Sequence, residues 1–278
     1  MRFEKEVWSR YRQVHAQAKK ETRMAEKIGM DKCPRELKVE LESRIIAQTV
    51  ELGMVEIPVN QIVGTSAFDE KNLYSPEFLP VASASSSFAE LWCQLYMDYL
   101  SDEGWDAPIQ CFEFLGRFYV QDGKKRVSVL KAHGATVTEA IVTRILPVKT
   151  QEPEIVQYYE FLEDYEKTGL YQVAFSQPGS FAKLQAALGH DADYVWKDSD
   201  RLRFMFNLPP VAYSLNEAFG GKLNITAADA MVVLLEEYSL NDLRKMQPWN
   251  LTKLLQNSWV KFSKILDPDG AAVPAGAA

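Results

Sequence analysis

The sequence lacks the features that mark membrane and secreted proteins. Its 278 residues contain no uninterrupted apolar run of about 18 residues, the minimum that a helix needs to cross a bilayer. A leader with charged, apolar and small-residue segments is also missing. We therefore expect no membrane span, no membrane partner and no secretory signal.

Cysteine and histidine are scarce, with three residues of each. Cys33, Cys93 and Cys111 are widely spaced, odd in number and never arranged as Cys-x-x-Cys. Such a set is typical of reduced structural thiols in a cytoplasmic protein, and it disfavours zinc. We predict a cytoplasmic location and no metal site.

A basic excess is missing from the chain as a whole, whose formal net charge is −7. This balance argues against a nucleic-acid surface that covers the whole protein, because phosphate contacts require clustered Lys and Arg. The charge is uneven, however: residues 1–50 carry +4, residues 51–150 carry −5 and residues 151–278 carry −6. Any polyanion-binding surface is therefore expected near the start of the chain.

The most informative segment runs from Phe118 to Gly134. Aromatic and β-branched residues predict a strand at its start, Asp122-Gly123 predicts a turn, and the spacing of the apolar residues that follow predicts a helix ending at Gly134. Three cations, Lys124-Lys-Arg126, then lie at the helix N-terminus, where the helix dipole makes each one unfavourable by ~0.3–1 kcal/mol. An anion held by free backbone N–H groups would explain them. A solvated basic turn is the alternative.

The elements around this segment predict a small α/β domain. Met54–Ile62, Ala107–Phe114 and Glu139–Pro147 are typical of strands, and Ser87–Leu100 is typical of a helix. The order of these elements resembles the ParB/sulfiredoxin-like domain, in which a strand of the type v-x-I-P-v-x-x-I precedes a helix and a y-x-V-x-D-G-x-x-R turn follows. The resemblance covers roughly residues 51–150. It implies an α+β protein with a small mixed sheet.

The resemblance also implies a ligand. In that family the turn and the following helix N-terminus bind nucleotide phosphates, so ATP or CTP with Mg²⁺ is the expected ligand. Carried over to this chain, Gly123, Lys124, Lys125 and Arg126 would hold the phosphates and Asp122 would shape the turn. We expect Arg117 and Arg144 to add positive charge nearby.

Two departures from the family pattern limit the expected chemistry. Lys124 stands where sulfiredoxins carry a catalytic Cys and where CTP-hydrolysing ParB proteins carry a Glu. The loop Gly64–Glu70 contains no Arg, whereas ParB proteins have an arginine-bearing loop after the first strand. We therefore expect no sulfiredoxin activity and little or no CTP hydrolysis.

The first 28 residues are predicted to form an amphipathic helix. Apolar residues recur every three or four positions at Phe3, Val7, Tyr11, Val14 and Ala18. Its other side carries five cations that could contact nucleic acid, aided by Lys124 and Lys125: Arg10, Arg12, Lys19, Lys20 and Arg23. A helix that packs on its own domain with its charges in water is the alternative.

Residues 151–266 are predicted to form an all-helical domain, because strand signals nearly vanish after residue 150. The helix 227–238 followed by 240–246 could mimic a helix-turn-helix, although core-packing helices are the alternative. His190-Asp-Ala-Asp193 resembles metal ligands, but it follows a helix stop at Gly189 and is interpreted as a polar loop. The last twelve residues, 267–278, are predicted to be a disordered tail.

Three functional interpretations follow. The first is a nucleotide- or phosphate-binding ParB-like module with a regulatory or assembly role, with or without DNA. The second is an ATP-dependent small-molecule phosphotransferase of the same superfamily, which needs a carboxylate base; Glu56, Asp69 and Asp122 are the candidates. The third is a structural module whose helical domain binds a protein partner. The Lys at position 124 favours the first and third over an enzyme.

Overall fold

The structure is a computed structural model that describes residues 2–66, 70–101, 104–105, 107–220, 223 and 225–266, with side chains from residue 4 onward. The chain divides into two compact units, residues 1–148 and 149–278. Within the described residues the first unit is mixed α/β, and the regular elements of the second are all helices. The predicted disordered tail, residues 267–278, lies outside the described residues.

The first unit contains four α-helices and six strands in its described part. The helices are α1 (Arg2–Lys27), α2 (Leu37–Glu42), α3 (Ser87–Tyr99) and α4 (Lys124–His133), and the strands are β1 (Arg35–Glu36), β2 (Ile46–Pro58), β3 (Ile62–Thr65), β4 (Ile109–Phe114), β5 (Arg117–Asp122) and β6 (Val137–Pro147).

These strands form one six-stranded sheet in the order β1-β3-β5-β4-β6-β2. Strand β3 is parallel to β1 and β5, and β4 is parallel to β6. The β4–β5 and β2–β6 pairs are antiparallel. The predicted mixed sheet is therefore confirmed, and β5 lies in its interior between β3 and β4.

The predicted strand Met54–Ile62 is wrong in its bounds. Strand β2 begins earlier, at Ile46, and ends at Pro58; a 3₁₀ turn over Val59–Gln61 then leads into β3. Proline has no N–H to donate to a ladder, so Pro58 suits a strand end. The first half of β2 escapes prediction because it is an edge strand with mostly exposed residues, which weakens the hydrophobic alternation that marks a strand.

The two faces of the sheet are covered differently. Helix α2 contributes Leu37 to a cluster on one face with Phe114, Tyr119 and Ile145. Because side chains alternate along a strand, the neighbours of Tyr119 on β5, Phe118 and Val120, point to the other face, where they are fully buried. Helix α3 contacts both α1 and α4 in this unit, and α4 also contacts β4.

A buried hydrogen bond joins α3 to α4. The Trp92 indole N–H donates to Ser128 Oγ at 2.9 Å, and both residues are buried. Helix α3 is capped by Ser86, whose hydroxyl accepts from the Ala89 N–H at 3.2 Å. Because a buried indole N–H without an acceptor is costly, this bond restricts how α4 lies against α3.

Helix α1 packs into the first unit through the predicted apolar stripe. Val7, Tyr11, Val14 and Ala18 are all buried. The Tyr11 ring meets Trp92 edge-on at 5.2 Å between centroids, and its hydroxyl donates to the Ala82 carbonyl at 2.8 Å. The amphipathic helix is therefore part of the first unit's core.

The second unit contains seven helices in its described part. These are α5 (Pro153–Thr168), α6 (Ser180–Ala187), α7 (Asp198–Phe219), α8 (Ala227–Leu235), α9 (Leu240–Lys245), α10 (Pro248–Asn257) and α11 (Trp259–Leu266). Their core includes Leu184, Trp196, Phe204, Leu255 and Phe262. The helical character predicted for residues 151–266 is confirmed for the described residues.

The packing of α1 makes a testable prediction. Tyr11→Ala removes a fully buried aromatic ring, so it should lower the free energy of unfolding of the first unit by about 3–5 kcal/mol. Its exposed neighbour Arg12 provides a control, because Arg12→Ala should change stability by less than about 0.5 kcal/mol. Urea unfolding followed by tryptophan fluorescence measures both. Equal effects of the two variants would contradict the packing of α1.

Asp164 in α5 makes a prediction about pH. Burial raises the pKa of its carboxyl to about 7, with Glu160 and Glu163 adding to the shift and Lys167 opposing it. A carboxyl whose folded pKa is raised favours the folded state while protonated, and this contribution is lost as pH rises through the folded value. Asp164→Asn should therefore stabilise the second unit at pH 8.

The expected gain is about 1–2 kcal/mol after allowance for the partial exposure of the carboxyl. At about pH 3, below the ordinary pKa of 3.8, the same substitution should be nearly neutral, because the wild-type carboxyl is then protonated in both the folded and the unfolded state. Melting temperatures at the two pH values test this. A gain of the same size at both would mean that the charge of Asp164 is not the cause.

Candidate functional site: the β5–α4 turn

The turn between β5 and α4 is built on one residue in a left-handed conformation. Gly123 has φ +98° and occupies the N-cap position of α4. A residue with a side chain is strained at this angle. Glycine has no side chain with which to cap the helix, and the first N–H groups of a helix have no acceptor within it. Gly134 ends the helix with φ +86°, as its position predicts.

The turn lies just beyond the carboxyl ends of two neighbouring parallel strands. Strand β5 leads into Gly123, and its neighbour β3 ends at Thr65. The Thr65 hydroxyl and the Ser66 N–H both donate to the Val120 carbonyl at 3.0 Å. In open α/β sheets, ligands bind beyond the carboxyl ends of parallel strands, and β3 and β5 are such a pair. The turn therefore lies where such a ligand would be expected.

Arg126 is held by the turn itself and by the segment before β4. Its guanidinium donates to the Pro108 carbonyl at 3.0 Å and to the Ala107 carbonyl. A further N–H donates to Asp122 Oδ2 at 2.6 Å. The guanidinium also covers Gly123, since a Cβ at that position would lie 3.1 Å from Arg126 Nε. Arg126 therefore faces the turn, although its donors already have protein acceptors.

The two lysines before Arg126 differ in accessibility. Lys124 is buried, with 9% of its surface exposed. Lys125 pairs with Glu70 at 2.9 Å, and its ammonium lies 5.3 Å from the centroid of the Phe88 ring. Glu70 follows β3 in the chain, so this pair ties the loop after β3 to the start of α4. Of the two lysines, Lys125 is the better placed to meet a ligand.

Arg117 and Arg144 do not join the turn, so that expectation is wrong. Arg117 begins β5 and Gly123 follows its end, which places them about 16–20 Å apart at the usual rise per residue. Arg144 pairs with the buried carboxylate of Glu113, whose partner in the β4–β5 ladder is Phe118. Both arginines therefore lie toward the opposite end of β5. The sequence pattern alone does not give the strand pairing that separates them.

Of the two candidate base carboxylates that the structure describes, Asp122 lies at the turn and Glu56 does not. It is largely exposed and pairs with Arg126. Glu56 is exposed on the edge strand β2, opposite Glu139 of β6, and three strand spacings separate β2 from β5, which amounts to about 14 Å. Asp69 lies outside the described residues. The described residues thus place one of the three carboxylates beside the phosphate-binding candidates.

The thiols of the chain favour structural roles. Cys93 and Cys111 are buried, and burial raises the pKa of each thiol to about 12. Burial also raises the pKa of Cys33. Because the thiolate is the reactive form, none of the three is activated for nucleophilic chemistry at neutral pH.

A cavity opens on the sheet face that carries α2. Its volume is about 490 Å³, and Leu37, Leu41, Phe112 and Ile145 give it an apolar lining. Ser66, directly after β3, also lines it. The cavity therefore reaches the carboxyl end of β3, close to which the turn also lies, but it opens on the sheet face that carries α2.

The five basic residues proposed for nucleic-acid contact fall into two groups. Arg12, Lys19, Lys20 and Arg23 are exposed on α1. Arg10 instead donates to the Ala132 carbonyl in the last turn of α4 and to Gln13 Oε1, where a cation is favourable to the helix dipole. Arg10 therefore has a structural role that the residue pattern alone does not reveal.

The features singled out in the second unit are accounted for by packing. Helix α8 is almost completely buried, and α9 is only six residues long, with Leu240 and Leu243 in the core. The His190 ring lies against Tyr194 in a tilted arrangement, with 4.1 Å between ring centroids, and its Nδ1 lies 3.2 Å from Gln185 Oε1. No group of three or more potential metal ligands gathers within the described part of the chain.

Comparison with known proteins assigns no family. No protein-family profile matches the chain, and no curated protein is significantly similar to it in sequence. Among the helices that the structure describes, none combines the length and the apolar character needed to span a bilayer.

Proposed function

We propose that the chain is a phosphate-binding, ParB-like module whose ligand, a nucleotide such as ATP or CTP with Mg²⁺, binds at the β5–α4 turn. The observation that carries the proposal is the conformation of Gly123, a left-handed N-cap without a capping side chain, followed directly by three cations. Backbone N–H groups at such a position are suited to phosphate oxygens. We assign the module a regulatory or assembly role.

The energies of the existing contacts allow a phosphate to compete. Lys125 pairs with Glu70 and Arg126 with Asp122, and the two acids have 44% and 65% of their side-chain surfaces exposed. Ion pairs with such exposure contribute about 0–1 kcal/mol each. A charge-assisted contact with a ligand contributes about 1.5–3 kcal/mol. We therefore expect Lys125 and Arg126 to exchange the carboxylates of Glu70 and Asp122 for the oxygens of a bound phosphate.

The positions of the candidate base carboxylates support a module that binds its ligand without catalysing a reaction. Asp122 is engaged by Arg126, and Glu56 is about 14 Å away in the direction across the strands. A phosphotransferase needs a carboxylate that can accept the proton of the substrate hydroxyl. The described residues offer no second carboxylate of that set beside the turn, so we place the phosphotransferase second.

Calorimetric titration with ATP, CTP and inorganic phosphate, each with Mg²⁺, tests the proposal. Lys125→Ala should weaken binding about tenfold or more, because it removes one charge-assisted contact. Lys253→Ala is the matched control, since Lys253 is exposed on α10 in the helical unit and its substitution makes the same change in charge. This control should leave affinity within about twofold of wild type.

Arg126→Ala should weaken binding at least as much, but it should also lower the melting temperature. The Ala107 and Pro108 carbonyls lose a donor when the guanidinium is removed. Because these carbonyls are exposed or partly exposed, each lost hydrogen bond costs about 0.5–1.5 kcal/mol. Absence of binding by all three ligands, or equal losses in the Lys125 and Lys253 variants, would overturn the proposal and favour a structural module.

A further inference from the structure

The outward face of α1 carries a continuous stripe of positive charge. Six cations on this helix are exposed: Lys5, Arg12, Lys19, Lys20, Arg23 and Lys27. At 3.6 residues per turn they fall within an arc of about 100°. This arc is centred opposite the buried face formed by Val7, Tyr11, Val14 and Ala18. We call these six residues the basic stripe.

Two acids of α1, Glu21 and Glu26, are engaged by groups outside the basic stripe. Glu21 accepts hydrogen bonds from Ser75 Oγ at 2.8 Å and from Gln17. Glu26 pairs with Lys32 at 2.9 Å. Within the described residues, the salt bridges of the first unit include none of the six stripe residues. The stripe is thus a positive surface on a chain whose formal net charge is −7.

The length of the stripe suits a regular polyanion. Lys5 and Lys27 are 22 positions apart, which corresponds to about 33 Å along a helix. One turn of B-form DNA spans about 34 Å, and its phosphates repeat along that whole length. A straight row of six cations can therefore meet several phosphates of one duplex at the same time.

A membrane surface fits the stripe less well. A helix that binds lipid inserts an apolar face into the boundary between headgroups and acyl chains. The apolar face of α1 is instead occupied by its own unit, where Tyr11 contacts Trp92 and the Ala82 carbonyl. Attraction to lipid headgroups would then depend on charge alone.

We propose that the basic stripe binds the phosphate backbone of duplex DNA without reading its bases. This inference does not depend on the β5–α4 turn. Arg10 marks where α1 meets the C-terminal end of α4, whereas the turn lies at the other end of that ten-residue helix, about 15 Å away. Lys124 is buried and Lys125 is paired, so neither belongs to the stripe.

Fluorescence anisotropy with a labelled duplex of about 30 base pairs, at about 50 mM salt, tests the proposal on the full chain. Deletion of α1 is not informative, because it would expose the residues that Val7, Tyr11 and Val14 cover. The test variant is the triple substitution Arg12→Gln, Lys19→Gln and Arg23→Gln. The matched control removes three exposed lysines elsewhere, Lys38→Gln, Lys183→Gln and Lys253→Gln.

The test variant should bind at least about tenfold more weakly than wild type, and the control should stay within about twofold. If all six cations meet phosphates, the logarithm of the wild-type binding constant should fall against the logarithm of salt with a slope near −5. The test variant should flatten that slope by about 3 units.

Four results would overturn the proposal. They are absence of duplex binding by the wild-type chain, equal losses in the two triple variants, preferential stripe-dependent binding to phosphatidylserine vesicles, and sequence-selective binding that resists salt. The third result would assign the stripe to a membrane surface. The fourth would mean that base contacts outside the basic stripe determine binding.

Discussion

The turn at Gly123 is the constraint that fixes the position of α4 in the first unit. With φ +98°, this residue turns the chain from the interior strand β5 into α4 within one step, which side chains of L-amino acids oppose. Helix α4 is then held to α3 by the Trp92–Ser128 hydrogen bond and to α1 by Arg10. A change in the angle of this turn would move α4 against both neighbours. Because so many contacts depend on the turn, we infer that its backbone is well ordered before any ligand binds.

Local patterns predict the parts of this fold that are long and periodic. The apolar stripe of α1 and the all-helical character of the second unit follow from residue spacing, because burial of one helix face repeats every 3.6 residues. Helix α7, which contains Pro209 and Pro210, is not among the helices that the pattern predicts. Strand β1 and helix α2 were not predicted, since two and six residues are too short to establish a period. The need for glycine at position 64 also becomes clear only from the structure. A Cβ at this position would lie 2.5 Å from the Arg35 carbonyl oxygen, so glycine allows β1 and Tyr119 to approach β3.

The candidate site was predictable to the extent that it is local. Asp122 to Arg126 are consecutive, so their common position in one turn follows from the sequence alone. Their partners do not follow from it: Glu70 meets Lys125 across 55 positions, and the Ala107 and Pro108 carbonyls meet Arg126 across 19 and 18 positions. Strand direction explains the failure of the Arg117 and Arg144 prediction, since both arginines lie toward the other end of β5. Charge counted along the sequence does not show which cations share one end of a strand.

The most direct test of this account is hydrogen–deuterium exchange of the full chain with and without ATP or CTP and Mg²⁺. Amides at the start of a helix have no acceptor within it, so the N–H groups of Lys125 and Arg126 should exchange slowly only when a phosphate accepts from them. The account predicts that nucleotide slows exchange in peptides covering residues 120–128, while those covering the basic stripe of α1 are unaffected. Slowing elsewhere in the chain with no change at the turn would contradict it.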